Sequence, residues 1–168
     1  VAVGEIGLDY HYDDTDREKQ IMVFRKQLDI AQKYNKPIIV HSRDSIQDTY
    51  NILKEYNLKG SIHCFSGSVE MAREFIKLGY KIGIGGIITY KNAKTIKEVV
   101  KDTNLAYILL ETDSPYLAPV PHRGEDNSPK YIPIIADEIA SIKGTSGLDI
   151  ARVTTANAEA VFDFSCEK

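Results

Sequence analysis

Short apolar runs alternate along the chain with longer stretches whose apolar residues recur every three or four positions. Val1 to Val3 is the first run, and it ends in the Gly- and Asp-rich stretch Gly4 to Asp9. From about Asp16 to Tyr34, Ile21, Phe24, Leu28 and Ala31 fall at helical spacing. Asp14, Thr15 and Asp16 are candidate N-caps, with Glu18 in the first turn. Pro37 then introduces Ile38-Ile39-Val40, a buried-strand signature that runs into His41. A second helix is expected from about Ser45 to Tyr56, a strand over Ser61 to Phe65, and a helix from Val69 to Leu78 closed by Gly79. Tyr80 to Ile84 reads as a strand, Ala93 to Val100 as a helix and Tyr107 to Leu110 as a strand. After a long Pro-containing loop, Pro129 to Lys143 and Leu148 to Phe164 read as helices.

Five strands and at least six helices in alternation point to parallel βα units. The fold class is α/β, as an open doubly wound sheet or as part of a (β/α)8 barrel. No internal repeat, low-complexity segment or linker divides the chain, so residues 1–168 are expected to form a single domain.

Composition narrows the function classes. The chain is 43 % apolar and 27 % charged, with 21 Lys plus Arg against 24 Asp plus Glu and a formal net charge of -3. That excludes a disordered chain, and no uncharged run approaches the roughly 18 apolar residues of a membrane span. A protein that coats nucleic acid through a bulk positive field is also excluded. A nuclease remains open, because it can draw positive charge from a few side chains and from metal ions. The two cysteines, Cys64 and Cys166, cannot build a disulfide framework. Reduced thiols in a cytoplasmic setting are the simplest reading, and no signal peptide or basic leader is visible.

The polar residues with chemistry gather at strand ends. Glu5 follows the first run, His41 the second, His63 lies at the third, and Glu111 and Asp113 follow the fifth. In parallel βα folds the C-terminal strand ends carry the site. Imidazoles and carboxylates delivered from four strand ends form a hard-metal or zinc-type ligand set. Glu111 and Asp113 are two apart and so share a face of an extended chain, as do His41 and Arg43. Each residue alone has a plainer explanation, as a turn cap or a satisfied buried group; four strand ends together do not.

Other features point to packing or to solvent. Gly83-Ile84-Gly85-Gly86 lacks the third glycine and the acidic partner of a dinucleotide fingerprint, so close backbone packing explains it better. Lys91, Lys94, Lys97 and Lys101 share a helical face that reads as solvated. Strand alternation points Cys64 away from the face of His63, toward packing.

Four segments occur in a recognisable order: Gly4-Glu5-Ile6-Gly7-Leu8-Asp9-Tyr10, Pro37-Ile38-Ile39-Val40-His41-Ser42-Arg43, His63-Cys64-Phe65-Ser66-Gly67, and Glu111-Thr112-Asp113-Ser114-Pro115-Tyr116-Leu117-Ala118-Pro119. Together they resemble the TatD family of metal-dependent DNases. Arg123-Gly124, Asn127, Pro129 and Thr155-Ala156-Asn157 fit the same pattern, so the resemblance runs to about Phe164. It implies a (β/α)8 barrel of the amidohydrolase kind that hydrolyses DNA phosphodiesters with two divalent ions, Mg, Mn or Zn.

By that resemblance Glu5 bridges the two ions and His41 and His63 complete one shell. Asp113 binds the other ion and orients or deprotonates the attacking water. Asp113 and Glu5 are thus the catalytic candidates. Arg43, Glu111, His122 and Arg123 are the candidate substrate contacts. DNA, as single-stranded ends, is the expected partner, with no membrane and no obligate protein partner. The alternatives are a hydrolase of small esters or amides, and a metal-binding chain without turnover.

Two departures from the family pattern stand out. No two histidines here are separated by one residue, so the family's His-x-His pair is missing, and Glu125 stands where a basic residue is usual. A complete barrel needs about 250 residues. The chain is therefore expected to be the C-terminal two-thirds of a TatD-type barrel, with five of eight strands and at most one tightly held ion.

Overall fold

The computed structural model describes residues 1–12, 14 and 16–164. Strand β1 spans Val3–Asp9, longer than the expected run at Val1 to Val3. The Gly- and Asp-rich stretch is strand because it has a partner: β1 pairs in parallel with β2, Ile38–Arg43, through Ile6 with Val40, Gly7 with His41 and Asp9 with Arg43. The register shifts between Val3 and Ile6, around a cis Gly4–Glu5 peptide. Ile6 and Leu8 are buried in the core, while Glu5, Gly7 and Asp9 alternate on the opposite face.

Strands β3, Gly60–Ile62, β4, Tyr80–Ile84, and β5, Ile108–Leu110, extend the sheet in the order β1-β2-β3-β4-β5, all parallel. Among the described residues the sheet hydrogen bonds do not close into a ring, so β1 and β5 are its edges. Strand β3 is shorter than Ser61 to Phe65, because His63 and Cys64 turn out of it into the site.

Helices α1, Arg17–Lys33, α2, Ile46–Leu53, α3, Val69–Lys77, and α4, Lys94–Asp102, connect successive strands. Helix α1 is capped by Asp16, whose carboxylate accepts the Lys19 N–H at 2.9 Å, and it buries Phe24, Leu28 and Ala31. Thr15, a second cap candidate, and Cys166 lie outside the described residues. Ser68 caps α3 by accepting the Met71 N–H. On α4, Lys94 and Lys101 are exposed, as a solvated face requires, whereas Lys97 is half-buried and pairs with Glu138 at 2.6 Å. No helix among the described residues is long and apolar enough to cross a membrane.

Two helices follow β5: α5, Ile132–Lys143, ends at Gly144 in the left-handed conformation, and α6 runs Gly147–Phe162. Helix α6 opens on a reciprocal cap, in which Ser146 Oγ accepts the Asp149 N–H and donates to the Asp149 carboxylate. The Asn157 amide of α6 donates to the carbonyls of Leu105 at 2.7 Å and Ile108 at 2.9 Å, tying the helix to the edge strand. Replacing Asn157 by Ala leaves both carbonyls without that donor. The expected cost is about 1–3 kcal/mol of unfolding free energy in a urea titration, with no change in metal binding.

The glycine run after β4 packs closely, as its sequence suggested. A Cβ at Gly86 would lie 2.3 Å from the Leu117 carbonyl oxygen.

Candidate active site

The carboxyl ends of β1, β2, β3 and β5 meet in two imidazole–carboxylate clusters. In the first, His41 on β2 lies between two carboxylates of β1. Its Nδ1 is 2.9 Å from Glu5 Oε1, and its Nε2 is 3.0 Å from Asp9 Oδ2. Glu5 and Asp9 share a face of β1 because they are four residues apart in an extended strand. Asp9 escaped the sequence reading, since the first strand was expected to end before Glu5. The signal was present in the i, i+2, i+4 spacing of Glu5, Gly7 and Asp9.

In the second cluster His63, just past β3, lies between two carboxylates that follow β5. Its Nδ1 is 2.9 Å from Glu111 Oε2 and its Nε2 is 3.1 Å from Asp113 Oδ1. The other Glu111 oxygen accepts the Cys64 backbone N–H. Glu111 therefore spends both carboxylate oxygens holding the His63-Cys64 turn. Its side chain is 16 % exposed, against 33 % for Asp113. The resemblance divides His63 and Asp113 between two ions, whereas the fold brings them into direct contact.

Cys64 does not follow strand alternation. Its φ is 41°, in the left-handed region, and this swings the thiol back beside His63. An imidazole nitrogen of His63, the Cys64 sulfur and an Asp113 carboxylate oxygen all lie within 4.8 Å of one another. The expectation that Cys64 points into packing fails because alternation presumes an extended backbone.

The electrostatics of the two clusters agree. The hydrogen bond from His41 holds the Glu5 carboxyl below the usual carboxylate range against its partial burial, and the charges of His63 and His41 add to this. Glu5 thus lies within electrostatic reach of both imidazoles. The His41 imidazole is raised chiefly by its hydrogen bond to Glu5, with desolvation opposing and Asp9 assisting. For His63, burial disfavours the charged ring, but hydrogen bonds to Cys64 and Glu111 outweigh it and push the pKa up to about 12. Burial pushes the Cys64 thiol up to about 11.

These residues suit a divalent cation. A neutral imidazole has a single N–H, so it can donate to only one of two flanking carboxylates. Both His41 and His63 have two such neighbours. Either ring protonation or a cation shared with the carboxylates is needed to offset the excess negative charge, and the donors are nitrogen, oxygen and sulfur atoms typical of zinc-type sites.

Of the remaining sequence candidates, Arg43 acts through its charge on Asp9 of the first cluster. Arg43 ends β2, is exposed, and has its guanidinium 6.0 Å from the Tyr12 ring. Arg123 lies over Tyr90 at 4.7 Å. His122 stacks on Tyr131 at 4.1 Å, and its Nδ1 is 3.1 Å from Glu125 Oε2, so both residues of that pair are engaged locally. The Asn127 side chain donates to the carbonyls of Thr112 and Tyr116, at 2.6 and 2.7 Å, which gives the loop carrying Asp113 its shape.

A run of parallel βα units with its reactive groups on the carboxyl ends of the strands defines a protein of the (β/α)-barrel class. The family of TatD related DNases matches residues 1–163, and the chain belongs to that family. It is 46 % identical over 165 residues to YabD of Bacillus subtilis, a protein named an uncharacterized metal-dependent hydrolase, covering 96 % of this chain and 65 % of that one. It is 39 % identical to YcfH of Escherichia coli, which bears the same description, over 100 % of this chain and 64 % of the relative. The crystal structure of the TatD homologue YjjV from Escherichia coli superposes with a TM-score of 0.93 at 35 % identity, covering 98 % of this chain and 64 % of that one. A TatD family hydrolase from Entamoeba histolytica superposes with a TM-score of 0.83 at 28 % identity, over 96 % of this chain and 63 % of that one. The chain thus spans just under two thirds of the length of these relatives.

Proposed function

We propose that this protein is a divalent-metal-dependent hydrolase that cleaves DNA phosphodiester bonds, releasing nucleotides from single-stranded 3′ ends. The observation that carries the reading is the pair of imidazoles, His41 and His63, each set between two carboxylates at the mouth of one parallel sheet. Membership of the family supports DNA as the substrate.

Glu5, His41, His63 and Asp113 are the residues that would hold metal. Divalent ions in such a site acidify water to a nucleophile near neutral pH and offset negative charge on the phosphoryl oxygens. Glu5, within reach of both imidazoles, ties the two clusters together. Asp113 is the more exposed carboxylate on His63 and accepts the proton of the attacking water. The water oxygen bonds to phosphorus, the bond from phosphorus to the 3′ oxygen breaks, and that oxygen takes up a proton. Arg43 and Arg123 present planar guanidinium groups suited to paired hydrogen bonds with phosphate oxygens. His122 adds an imidazole on the Arg123 side.

The test is release of nucleotides from a 3′-labelled single-stranded oligonucleotide, with and without EDTA. Turnover is expected only with added Mg, Mn or Zn, and label at the 3′ end is lost before label at the 5′ end. Cleavage that persists in EDTA would overturn the reading, and turnover of small model esters without DNA cleavage would replace it with a small-molecule hydrolase. Elemental analysis after dialysis is expected to find no more than one tightly held ion per chain.

A further inference from the structure

We propose that Tyr12 and Arg43 form a nucleotide subsite beside the first cluster, in which the Arg43 guanidinium holds a phosphate and the Tyr12 ring stacks on a base of the same strand. The inference rests on the nuclease reading above and deepens it. It makes the substrate an unpaired strand recognised through base faces and not base edges, because an aromatic ring stacks on any base.

Three observations carry it. The chain leaves β1 at Asp9 and is pinned at once to the end of β2. Tyr10 N–H donates to the Arg43 carbonyl at 2.9 Å, His11 N–H donates to the Asp9 carboxylate at 3.0 Å, and His11 Nδ1 lies 3.0 Å from Asp44 Oδ2. Tyr12 follows directly, 60 % exposed, its ring edge-on to that of His11 with centroids 5.2 Å apart. A ring held out by bonded backbone loses little further freedom when a base settles on it. Second, the Arg43 guanidinium is 6.0 Å from the centre of the Tyr12 ring. Its side chain is exposed and takes no hydrogen bond or ion pair among the described residues. A cation and an aromatic face side by side match what one nucleotide offers, a phosphate and, one sugar away, a base. Third, the charge of Arg43 reaches Asp9, and the Asp9 carboxylate lies 3.0 Å from His41 Nε2. One carboxylate thus links the pair to a residue proposed to hold metal.

Other exposed tyrosines lack one part of this arrangement. Tyr34 and Tyr107 each have a lysine ammonium by the ring, at 5.5 and 5.0 Å. They precede β2 and β5, however, and so lie at the amino end of the sheet, away from the clusters. Tyr116 follows β5 at the carboxyl end and is exposed, but no cation lies over its ring among the described residues. Packing does not account for Tyr12 either, since it is not part of the hydrophobic core. Inside a duplex both faces of a base are already stacked, so the ring meets a base without unstacking cost only in an unpaired strand.

The test measures nucleotide release from single-stranded oligonucleotides, intact or made abasic at each position near the 3′ end in turn. Tyr12→Ala is expected to raise KM about tenfold, the size of one base–aromatic stack, with kcat within about twofold. Tyr12→Phe keeps the ring and should keep the parental KM. One abasic position should raise the parent's KM by the same factor and leave that of Tyr12→Ala unchanged, since both changes remove one contact. Arg43→Gln should make the slope of log K against log salt shallower by about 0.7, the share of one phosphate on a single strand. Tyr34→Ala, at the other end of the sheet, is the control and should match the parent. Binding is read apart from turnover, in EDTA, with 2-aminopurine in the strand; its emission falls on stacking, and the chain has no tryptophan to obscure it. Quenching is expected with the parent and Tyr12→Phe and is lost with Tyr12→Ala. Parental KM and quenching in Tyr12→Ala, or equal losses in Tyr12→Phe and Tyr12→Ala, would overturn the subsite and leave the nuclease standing. Quenching that needs Tyr12, in a protein that cleaves no DNA with any metal, would overturn the nuclease and leave the subsite. Neither cleavage nor quenching would overturn both.

Discussion

Replacing Asp113 by Asn is expected to reduce metal-dependent DNA hydrolysis by at least about a hundredfold while leaving the fold intact. The substitution removes one charge and almost no volume. The backbone at Asp113 has φ 61°, a conformation Asn tolerates as readily as Asp. The neighbours that shape the loop do not depend on the carboxylate: Tyr116 N–H donates to the Asp113 carbonyl, and Asn127 holds Thr112 and Tyr116. What changes is the partner of His63 Nε2 and, on the proposed function, the group that would receive the proton of the attacking water. A neutral amide cannot take that proton, and it is a weaker ligand for a cation. Activity should fall at saturating metal as well as at limiting metal, because two roles are lost and added ion restores only one. A rate unchanged from the parent, with metal bound, would remove Asp113 from the chemistry.

Much of the architecture was legible because the sheet is buried and its strands are apolar. Ile38-Ile39-Val40 and Tyr80 to Ile84 announce themselves as strands, and α1 and α5 show helical spacing and end signals. Glu5, His41, His63, Glu111 and Asp113 were legible for a different reason. They interrupt or follow apolar runs at corresponding points of successive βα units, and a parallel sheet puts such points together.

The misses have a common cause, which is backbone conformation set by tertiary contacts. Gly4 to Asp9 has weak strand propensity, yet pairing with β2 makes it extended. The error concealed Asp9, whose carboxylate reaches His41 only because β1 continues that far. Cys64 was misdirected for the opposite reason, since an apparent strand bends into the left-handed region at that residue. Asn127 and Asn157 stood in the family pattern with no role attached. Each proves to be a double donor to backbone carbonyls, and such long-range pairing leaves no trace in local periodicity.

Two glycine substitutions in neighbouring strands should have opposite consequences. A Cβ at Gly60 would lie 1.9 Å from the Ile38 carbonyl oxygen and 2.8 Å from its carbon and nitrogen, all backbone atoms of the adjacent strand. Neither strand can yield without breaking the β2–β3 ladder, in which Ile38 pairs with Gly60. Gly60→Ala is therefore expected to cost more than about 3 kcal/mol, a large part of the stability of a domain this size, and to be seen as loss of soluble protein or of a cooperative melt. At Gly83 the Cβ would instead meet the carboxylate of Glu111, at 2.5 to 2.7 Å. That group sits at the far end of a flexible side chain and can swing aside. Gly83→Ala should thus keep a cooperative melt, at a cost of about 1–3 kcal/mol for the hydrogen bonds the carboxylate gives up and less than at Gly60. The displaced carboxylate, however, is the one that holds His63 Nδ1 and the Cys64 N–H, so metal affinity should fall about 10–100-fold, the usual effect of losing an orienting partner. Equal loss of stability in the two variants would mean that the sheet around Gly83 is as closely packed as at Gly60. A stable Gly83→Ala protein with parental metal affinity would mean that Glu111 does not orient the site. The contrast separates what builds the sheet from what aims the side chains at its mouth.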